Sequence, residues 1–356
     1  MSTVPPSDPN RQTHTTHVVL QQPTAFGRYG KLLLVLLALA VMVIIGQSAS
    51  YQSYFSPPNA PQEKFYSLNE EATDKIAIIR VEGPILDAEG FVKKQIDRVR
   101  EDDAVKAVVL RIDSPGGTVT ASDFLYNELR DMIAEREIPM VVSMGSICAS
   151  GGYYMAMAAE SGEDVIFAEP TTWTGSIGVV IPHYDISGLL ANWKIEDDSI
   201  ASHKYKLMGS PTRQLSPEEE AKERELLQEL VDESFERFKQ IVLRGRPALK
   251  DDEKALETAT TGRIFTSDQA LELKLIDKQG FLEAAIDRAA ELAGREPDSL
   301  RCVHYEEPPS SLEMLLGAKT SVLPAGKTDL ASLLDLAAPR AYYICTWLPA
   351  ILTNSR

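Results

Sequence analysis

The most informative stretch of the chain is residues 144–154, which read Met-Gly-Ser-Ile-Cys-Ala-Ser-Gly-Gly-Tyr-Tyr. A hydrophobic strand over 138–142 leads into it, and the small apolar residues of 153–159 predict a buried helix after it. Ser150 then stands at a helix start, beside unpaired backbone N–H groups that stabilise an alkoxide or an oxyanion. A helix-capping serine fits the same position, so the stretch alone leaves Ser150 open between cap and nucleophile.

A second glycine turn, Asp-Ser-Pro-Gly-Gly over residues 113–117, directly follows a mostly apolar strand over 105–112. Two glycines at the carboxyl end of a strand let backbone amides face a substrate, and this edge of an α/β sheet is where ligands bind. The Walker lysine is missing, which disfavours a phosphate loop, whereas a plain turn remains an alternative. Together the two turns predict an acyl-transfer site with a serine and an oxyanion hole.

The general base is harder to choose. His183 lies in a strand-like segment and His304 in an acidic one, while His203 lacks an acidic residue obviously placed to orient it. A lysine made neutral by burial is the other kind of base, and the chain offers Lys204 and Lys206. In an extended segment these two would share one face, so the pattern leaves the choice between them open.

Composition excludes several classes of protein. The chain has 356 residues, 44% of them hydrophobic, which is enough for one large domain or two ordinary ones. A net charge of −16 argues against nucleic acid as a partner. Three cysteines, far apart, predict neither a disulfide framework nor a zinc site, and Cys148 is expected to be a small core residue. We expect no metal and no cofactor.

The N-terminal region predicts a membrane anchor. Residues 1–24 have the composition of a disordered tail, and an uninterrupted apolar run over 32–46 follows Arg28 and Lys31. With the aromatic continuation to residue 55, this predicts a transmembrane signal anchor over 25–55; a cleavage site at 48–50 is the alternative. The positive-inside rule puts the tail in the cytoplasm and the rest of the chain outside it.

Beyond a linker over 56–73, alternating strand and helix patterns predict a layered α/β domain over residues 74–295. Ser216-Pro-Glu-Glu predicts the capped start of a long helix. A C-terminal extension, 296–356, follows. Its apolar segment over 341–352 is expected to pack on the core, with a membrane or a neighbour's substrate groove as alternatives.

Four motifs in order resemble the signal peptide peptidase A family, the bacterial serine peptidases with a Ser/Lys dyad. They are Asp-Ser-Pro-Gly-Gly at 113–117, Ala-Ser-Gly-Gly-Tyr-Tyr at 149–154, Thr-Gly-Ser-Ile-Gly-Val at 174–179, and Tyr-Lys at 205–206 with a proline at 211. The resemblance covers about residues 74–295. It implies the short, single-repeat form of the family and the ClpP/crotonase-like α/β spiral as the fold.

The resemblance also implies roles for individual residues. Ser150 matches the nucleophile and Lys206 the general base, and Ser176 is expected to lie near the lysine as a supporting hydroxyl. The expected oxyanion-hole neighbourhood consists of Gly116, Gly117 and Gly151. Family members usually have glycine where this chain has His203, which keeps Lys204 as a minor alternative to Lys206.

The function implied is that of a membrane-anchored serine endopeptidase that cleaves apolar peptides such as remnant signal peptides. It would be a single-pass protein of the bacterial cytoplasmic membrane with its catalytic domain on the extracytoplasmic side. The family implies a homo-oligomeric ring in which serine and lysine of one site come from neighbouring subunits. A crotonase-like acyl-CoA enzyme and a non-catalytic membrane scaffold are the alternatives.

Overall fold

The computed structural model describes residues 34, 36–37, 39–41, 60–159, 162–308 and 342–344. The chain divides into two compact units, Met1–Pro58 and Asn59–Arg356. In the first unit the described residues are helical, and their leucine side chains are exposed. Among the described residues, no helix is both long and apolar enough to cross a membrane. The predicted tail and most of the predicted anchor over 25–55 lie outside the described residues.

The second unit is built on a mixed sheet of nine strands, with a separate two-stranded sheet beside it. The strands are β1 (Gln62–Leu68), β2 (Asp74–Glu82), β3 (Val105–Ser114), β4 (Gly116–Thr118), β5 (Met140–Ala149), β6 (Ile166–Ala168), β7 (Trp173–Gly175), β8 (Ile264–Thr266), β9 (Lys278–Gln279), β10 (Leu300–Glu306) and β11 (Tyr342–Ile344).

The helices are α1 (Phe91–Glu101), α2 (Val119–Arg136), α3 (Gly151–Ala156), α4 (Ser187–Asn192), α5 (Pro217–Gly245), α6 (Glu253–Ala259), α7 (Ser267–Glu272) and α8 (Leu282–Leu292). The predicted capping box at the start of α5 is confirmed. The Ser216 hydroxyl accepts from the Glu219 amide, and the Glu219 carboxylate accepts from the Ser216 amide.

The large sheet has the order β1-β10-β2-β3-β5-β6-β9, and strands β10, β2, β3, β5, β6 and β9 run parallel to one another. Only β1, which pairs with β10, and β8, which pairs with β7, run antiparallel to their partners in this sheet. Strands β1 and β10 lie in the predicted linker and the predicted extension. The sheet therefore extends past the predicted 74–295 domain at both ends.

Strand β5 changes partners along its length. Residues 142–144 pair with β6, whereas residues 147–149 pair with β7. The predicted strand over 138–142 is thus the start of a longer one that runs up to Ser150. The carboxyl end of β5 thus lies beside β7, whose other edge pairs with β8, and this places Ser150 next to the β7–β8 pair.

Both faces of the large sheet are buried, as the mostly apolar strands predict. One face, which includes Ala77, Ile79 and Val81, packs against helices α1, α2, α3 and α5. The opposite face, which includes Ile76 and Ile78, packs against α8. The strand predicted around His183 does not form, since only Val180 makes an isolated bridge there.

Candidate active site

Ser150 lies at the junction of β5 and α3 in a rare backbone conformation, with φ 54° and ψ −114°. Such a conformation costs a non-glycine residue about 1–3 kcal/mol and persists only where neighbouring contacts impose it. Here the Ser150 amide donates to the Gly175 carbonyl at 2.8 Å, and the Tyr154 amide donates to the Ser150 carbonyl at 2.8 Å. These two hydrogen bonds, the first of them to the strand β7 with which β5 pairs at its end, therefore hold Ser150 in its strained turn.

The Ser150 hydroxyl is buried and unpaired. The residue is 1% exposed, and its Oγ has no hydrogen-bond partner among the described residues. In particular it makes no capping bond to the first turn of α3. The interpretation of Ser150 as a simple helix cap is therefore wrong, since a cap requires that bond.

Three glycines surround Ser150. A Cβ atom added at Gly116 would lie 2.7 Å from the Gly151 amide nitrogen and 3.0 Å from Ser150 Cβ. One added at Gly151 would lie 3.1 Å from the Gly117 amide nitrogen. The structure thus brings Ser150, Gly116, Gly117 and Gly151 together, as expected. Any side chain at Gly116 or Gly151 would fill the space in front of these amides.

Hydrogen bonds from Ser114 and Ile85 hold the glycine turn of β4 in place. The Gly116 amide donates to Ser114 Oγ at 3.1 Å, and the Ser114 hydroxyl donates to the Gly83 carbonyl at 2.6 Å. Ile85 pairs with the other edge of the turn: its amide donates to the Gly116 carbonyl at 2.9 Å and its carbonyl accepts from Thr118 at 2.9 Å. A glycine loop held on one edge in this way presents its remaining amide without rearrangement.

Cys148, two residues from Ser150, is a core residue as predicted. Its side chain is fully buried, and burial, followed by the nearby charge of Asp113, raises the pKa of the thiol. The thiolate is the nucleophilic form of cysteine. A thiol with a raised pKa is therefore a poor rival to the Ser150 hydroxyl.

Lys206 is exposed and lies in a 3-10 turn, Lys204–Leu207. The segment is therefore not extended, and Lys204 and Lys206 do not share one face as they would in an extended segment, because residues two apart in such a turn point in different directions. Lys204 instead approaches Glu219 at 3.8 Å. Within the described part of the chain no hydrogen bond joins Lys206 to Ser150. A single chain therefore does not assemble the predicted dyad.

The segment that carries Lys206 is anchored by a buried ion pair that the sequence did not indicate. Glu223 of α5, 4% exposed, accepts from the Gly209 amide at 3.2 Å and pairs with Arg213 at 2.9 Å. Arg213 also donates to the Leu207 carbonyl at 3.2 Å. In the sequence Glu223 is one of many acidic residues of α5, and no local signal separates it from the others.

Ser176 follows β7 and is 8% exposed, with φ 53°. Its amide donates to the Arg263 carbonyl at 2.7 Å. Among the described residues its hydroxyl makes no hydrogen bond to Lys206 within one chain, so its supporting role stays a prediction.

Strand β11 lies directly beside the glycines. It pairs antiparallel with β4, so that Tyr343 stands opposite Gly117, and its other edge bonds Val180 through Tyr342 at 2.9 and 3.0 Å. A Cβ atom at Gly116 would overlap the Tyr343 carbonyl oxygen. Of the apolar segment over 341–352, the described residues 342–344 thus pack on the domain, as predicted, and do so at the candidate site. The other residues of that segment lie outside the described part.

The Tyr343 side chain is fully buried in an aromatic pocket. Its ring lies 5.1 Å from that of Tyr154 at an interplanar angle of 23°, and 4.6 Å from that of Phe238. Its hydroxyl donates to the Ser234 carbonyl at 2.9 Å. Among the described residues, no group of three or more His, Cys, Asp or Glu side chains could hold a metal ion.

The chain is similar in sequence to known peptidases. The sequence profile of peptidase family S49 matches residues 133–296. A protein of Synechocystis sp. that is named as a protease is 38% identical to this chain over 250 residues, which are 70% of this chain and 85% of that protein.

Two longer relatives are the chloroplastic serine protease SPPA of Arabidopsis thaliana, 36% identical, and protease 4 of Salmonella typhi, 32% identical. They match 74% and 73% of this chain, which spans 39% and 41% of their lengths. A weaker likeness, with a TM-score of 0.40 and 15% identity, covers 69% of this chain and 97% of the solved structure of a membrane-bound stomatin-specific protease mutant in complex with a substrate peptide.

Proposed function

Because the chain belongs to peptidase family S49 and is a serine peptidase, we propose that it is a membrane-anchored endopeptidase in which Ser150 is the nucleophile and Lys206 the general base. One observation carries this proposal: the Ser150 hydroxyl is buried, unpartnered among the described residues and held in a strained turn beside three glycines. Strain and an unsatisfied polar group both cost stability, and they are tolerated where catalysis needs them.

For the oxyanion hole we propose the amides of Gly117 and Gly151 as donors. The Gly116 amide is already bonded to the Ser114 hydroxyl, whereas Gly117 stands opposite Tyr343 of the added strand β11, which makes Gly117 the donor of the pair that faces a peptide in this position. The Tyr343 carbonyl oxygen lies beside Gly116 and Gly151, and this supports the proposal that a substrate carbonyl oxygen binds there. Gly116 would then serve by having no side chain to obstruct the oxygen.

The reaction follows from these positions. Uncharged Lys206 takes the proton of Ser150, and the alkoxide attacks the carbonyl carbon of the peptide bond. The two amides hold the negative oxygen of the tetrahedral intermediate, and the leaving nitrogen departs as an amine with the proton from the lysine. Water, deprotonated by Lys206, then hydrolyses the acyl-enzyme and restores Ser150.

Lys206 would reach Ser150 from a neighbouring subunit of a ring. Support comes from the exposure of Lys206 and from the absence of a partner for Ser150 among the described residues of one chain. The segment before Lys206 also exposes large apolar side chains, Tyr184, Leu189, Trp193 and Ile200, as a surface between subunits would. Ser176 would support the lysine once it is in place.

The finer features of the function rest on the resemblance and on the N-terminal sequence. We propose unfolded apolar peptides such as remnant signal peptides as substrates, held as an added strand. The anchor over 25–55 would keep the site at the outer face of a bacterial cytoplasmic membrane. For the fold we propose the ClpP/crotonase-like spiral, which is supported by the parallel strands of the large sheet and by the change of partner of β5 from β6 to β7.

A mixing experiment tests the proposal. Ser150→Ala and Lys206→Ala are each expected to abolish cleavage of an apolar peptide, whereas Lys204→Ala, the matched control two residues away, should retain it. If sites are shared between subunits, co-refolding equal amounts of the two inactive variants restores about a quarter of the wild-type activity, because one site in four receives both groups. If each site is instead formed by a single chain, co-refolding the two variants would restore no activity.

Active Lys206→Ala protein would refute the dyad. A fluorophosphonate probe separates the remaining classes: labelling of Ser150 is expected for a serine peptidase, and its absence would favour a crotonase-like acyl-CoA enzyme or a scaffold.

A further inference from the structure

A second serine hydroxyl beside the glycine turns is buried and, in the part of the chain that the structure describes, unpaired. Ser122 of α2 is fully buried, and among the described residues its Oγ, like that of Ser150, makes no hydrogen bond. Ser114, Ser143 and Ser267 are equally buried, and each of them hydrogen-bonds through its hydroxyl. Since buried polar groups are nearly always paired, an unpaired hydroxyl next to a candidate active site points to an acceptor that binds there.

The Ser122 hydroxyl faces Gly151 and the space in front of it. A Cβ atom added at Gly151 would overlap Ser122 Oγ, and the same atom would lie 3.1 Å from the Gly117 amide nitrogen and 3.2 Å from the Tyr343 carbonyl oxygen. One small volume is thus bordered by the unpaired hydroxyl, by a proposed donor amide and by an oxygen near the place proposed for a substrate carbonyl. Glycine at position 151 keeps this volume open.

The position of Ser122 in its helix offers the hydroxyl another acceptor, which it does not use. A buried serine inside a helix can satisfy its hydroxyl with the carbonyl four residues back, which for Ser122 belongs to Thr118, the N-cap of α2. Ser122 makes no such bond, although both residues belong to the described part of the chain. Its proton is therefore available to an acceptor that enters the volume beside Gly151.

We propose that Ser122 is a further catalytic residue, whose hydroxyl donates a third hydrogen bond to the oxygen of the tetrahedral intermediate, beside the amides of Gly117 and Gly151. The inference rests on the proposed peptidase function and adds a residue to its oxyanion hole. As Ser150 Oγ bonds to the carbonyl carbon, an electron pair of the carbonyl bond moves onto its oxygen, and the hydrogen bond from Ser122 strengthens. The Ser122 proton stays on its own oxygen throughout.

The hydroxyl has opposite effects on the resting and the reacting protein. In the resting chain the unpaired Ser122 hydroxyl lowers the stability of the fold, because a buried donor without an acceptor loses its bonds to water and gains none. In the intermediate it meets a negative oxygen in a buried site, where a donor that is already in place is most effective. The Ser122 hydroxyl should therefore reduce stability and increase rate, whereas a structural hydroxyl increases stability and leaves the rate unchanged.

Kinetics and stability of Ser122→Ala in the full-length protein test this prediction together. We expect kcat for cleavage of an apolar peptide to fall at least about tenfold, because one of three oxyanion donors is lost. The KM should change by less than about twofold, because the uncharged carbonyl of the bound peptide gains little from the hydroxyl. The urea midpoint should equal or exceed that of wild type, since an unpaired hydroxyl is removed.

Ser267→Ala is the matched control. Ser267, at the start of α7, is also fully buried, but its hydroxyl donates to the Pro170 carbonyl at 3.2 Å and accepts from Gln279 at 2.6 Å. Removing a paired hydroxyl leaves its buried partners unsatisfied. This variant should therefore have a lower urea midpoint than wild type and an unchanged kcat.

Inhibitors separate an effect on the intermediate from an effect on peptide binding. With a peptide aldehyde, Ser150 Oγ bonds to the aldehyde carbon, the Ser150 proton passes to Lys206, and the aldehyde oxygen becomes the oxyanion; the alcohol of the same sequence cannot react. Ser122→Ala should raise the inhibition constant of the aldehyde at least about tenfold and that of the alcohol by less than about twofold. The ratio of these two constants does not depend on the fraction of folded protein, so partial unfolding does not produce this result.

The outcomes distinguish this inference from the function on which it rests. If wild type cleaves the peptide, an unchanged kcat for Ser122→Ala, or equal weakening of aldehyde and alcohol, would overturn the role of Ser122 and leave the peptidase proposal standing. A urea midpoint as low as that of Ser267→Ala would show that the hydroxyl is paired in the folded protein and would also overturn it. No cleavage by wild type, together with no fluorophosphonate labelling of Ser150, would refute the peptidase proposal and the inference with it.

Discussion

Replacing Ser150 by glycine should stabilise the protein more than replacing it by alanine. Both variants lose the buried, unpaired hydroxyl, so they differ mainly in how each residue tolerates φ 54° and ψ −114°. Glycine adopts positive φ at no steric cost, whereas alanine keeps the strain that serine bears. At an ordinary position the order is the opposite, since glycine loses more backbone entropy on folding.

The size of the difference follows from two opposing contributions. Relief of the strained conformation gains about 1–3 kcal/mol, and the extra flexibility of glycine in the unfolded chain costs about 0.5–1 kcal/mol. The net expectation is that Ser150→Gly is more stable than Ser150→Ala by about 1 kcal/mol, or about 2–4 °C in Tm.

Urea unfolding of the full-length chain at one detergent and salt concentration measures this difference. Both variants lack the proposed nucleophile, so autolysis is not expected. Ser143 on β5 offers a matched control. It is also fully buried, lies inside a regular strand, and its hydroxyl accepts from Arg111 at 2.9 Å. There the glycine variant should be less stable than the alanine variant by about 0.5–1 kcal/mol.

If Ser150→Gly proves equal to or less stable than Ser150→Ala while the Ser143 pair behaves as stated, the turn at Ser150 is not strained. The account of the site as one that stores strain in its nucleophile would then fail.

Three further predictions concern the surroundings of the site. Glu223→Ala should lower the free energy of unfolding by about 2–3 kcal/mol, because it leaves the largely buried Arg213 guanidinium uncompensated; a urea midpoint equal to that of wild type would contradict the anchoring role of this pair. Burial alone would raise the pKa of Asp102, but hydrogen bonding, first of all from Lys75, lowers that pKa in the folded chain. The stability that the Asp102 carboxylate adds is therefore present above about pH 4 and is lost as the pH falls through the folded pKa. Urea midpoints measured from pH 6 downwards should therefore fall less steeply for Asp102→Asn than for wild type. Cys148 should resist iodoacetamide at pH 8 in the native protein and react in urea, as followed by mass spectrometry of its peptide, and native labelling would show that its thiol is not buried.

The elements that sequence predicted well have short-range signals. The strand before Ser150 and the helix after it follow from a contiguous pattern, and the helix start at Ser216 follows from three neighbouring side chains. The role of Ser150 was not decidable in this way. A serine before two glycines suits both a helix cap and a nucleophile. The backbone angles and the unpaired hydroxyl exclude the cap, and they are the observations on which the proposed nucleophile rests.

The elements that sequence missed depend on distant pairings. Strand β10 enters the sheet between β1 and β2, more than two hundred residues along the chain from both, and nothing local in its acidic surroundings predicts that place. The contact of Tyr343 with Tyr154 and Phe238 likewise joins three remote segments. Long-range contacts of this kind are absent from hydrophobic periodicity, which reports only on neighbours within one element.

The pairing of β1 with β10 has a mechanical consequence. Gln62 and Glu306 stand opposite each other at one end of this antiparallel pair, so the chain enters and leaves the sheet at the same point. Tension applied between residues 62 and 306 would load the hydrogen bonds of this pair one after another, from one end to the other, rather than all at once in shear. The edge strand would peel away at low force, while β3 and β5, which hold the two glycine turns, would carry no load until β10 had also been removed.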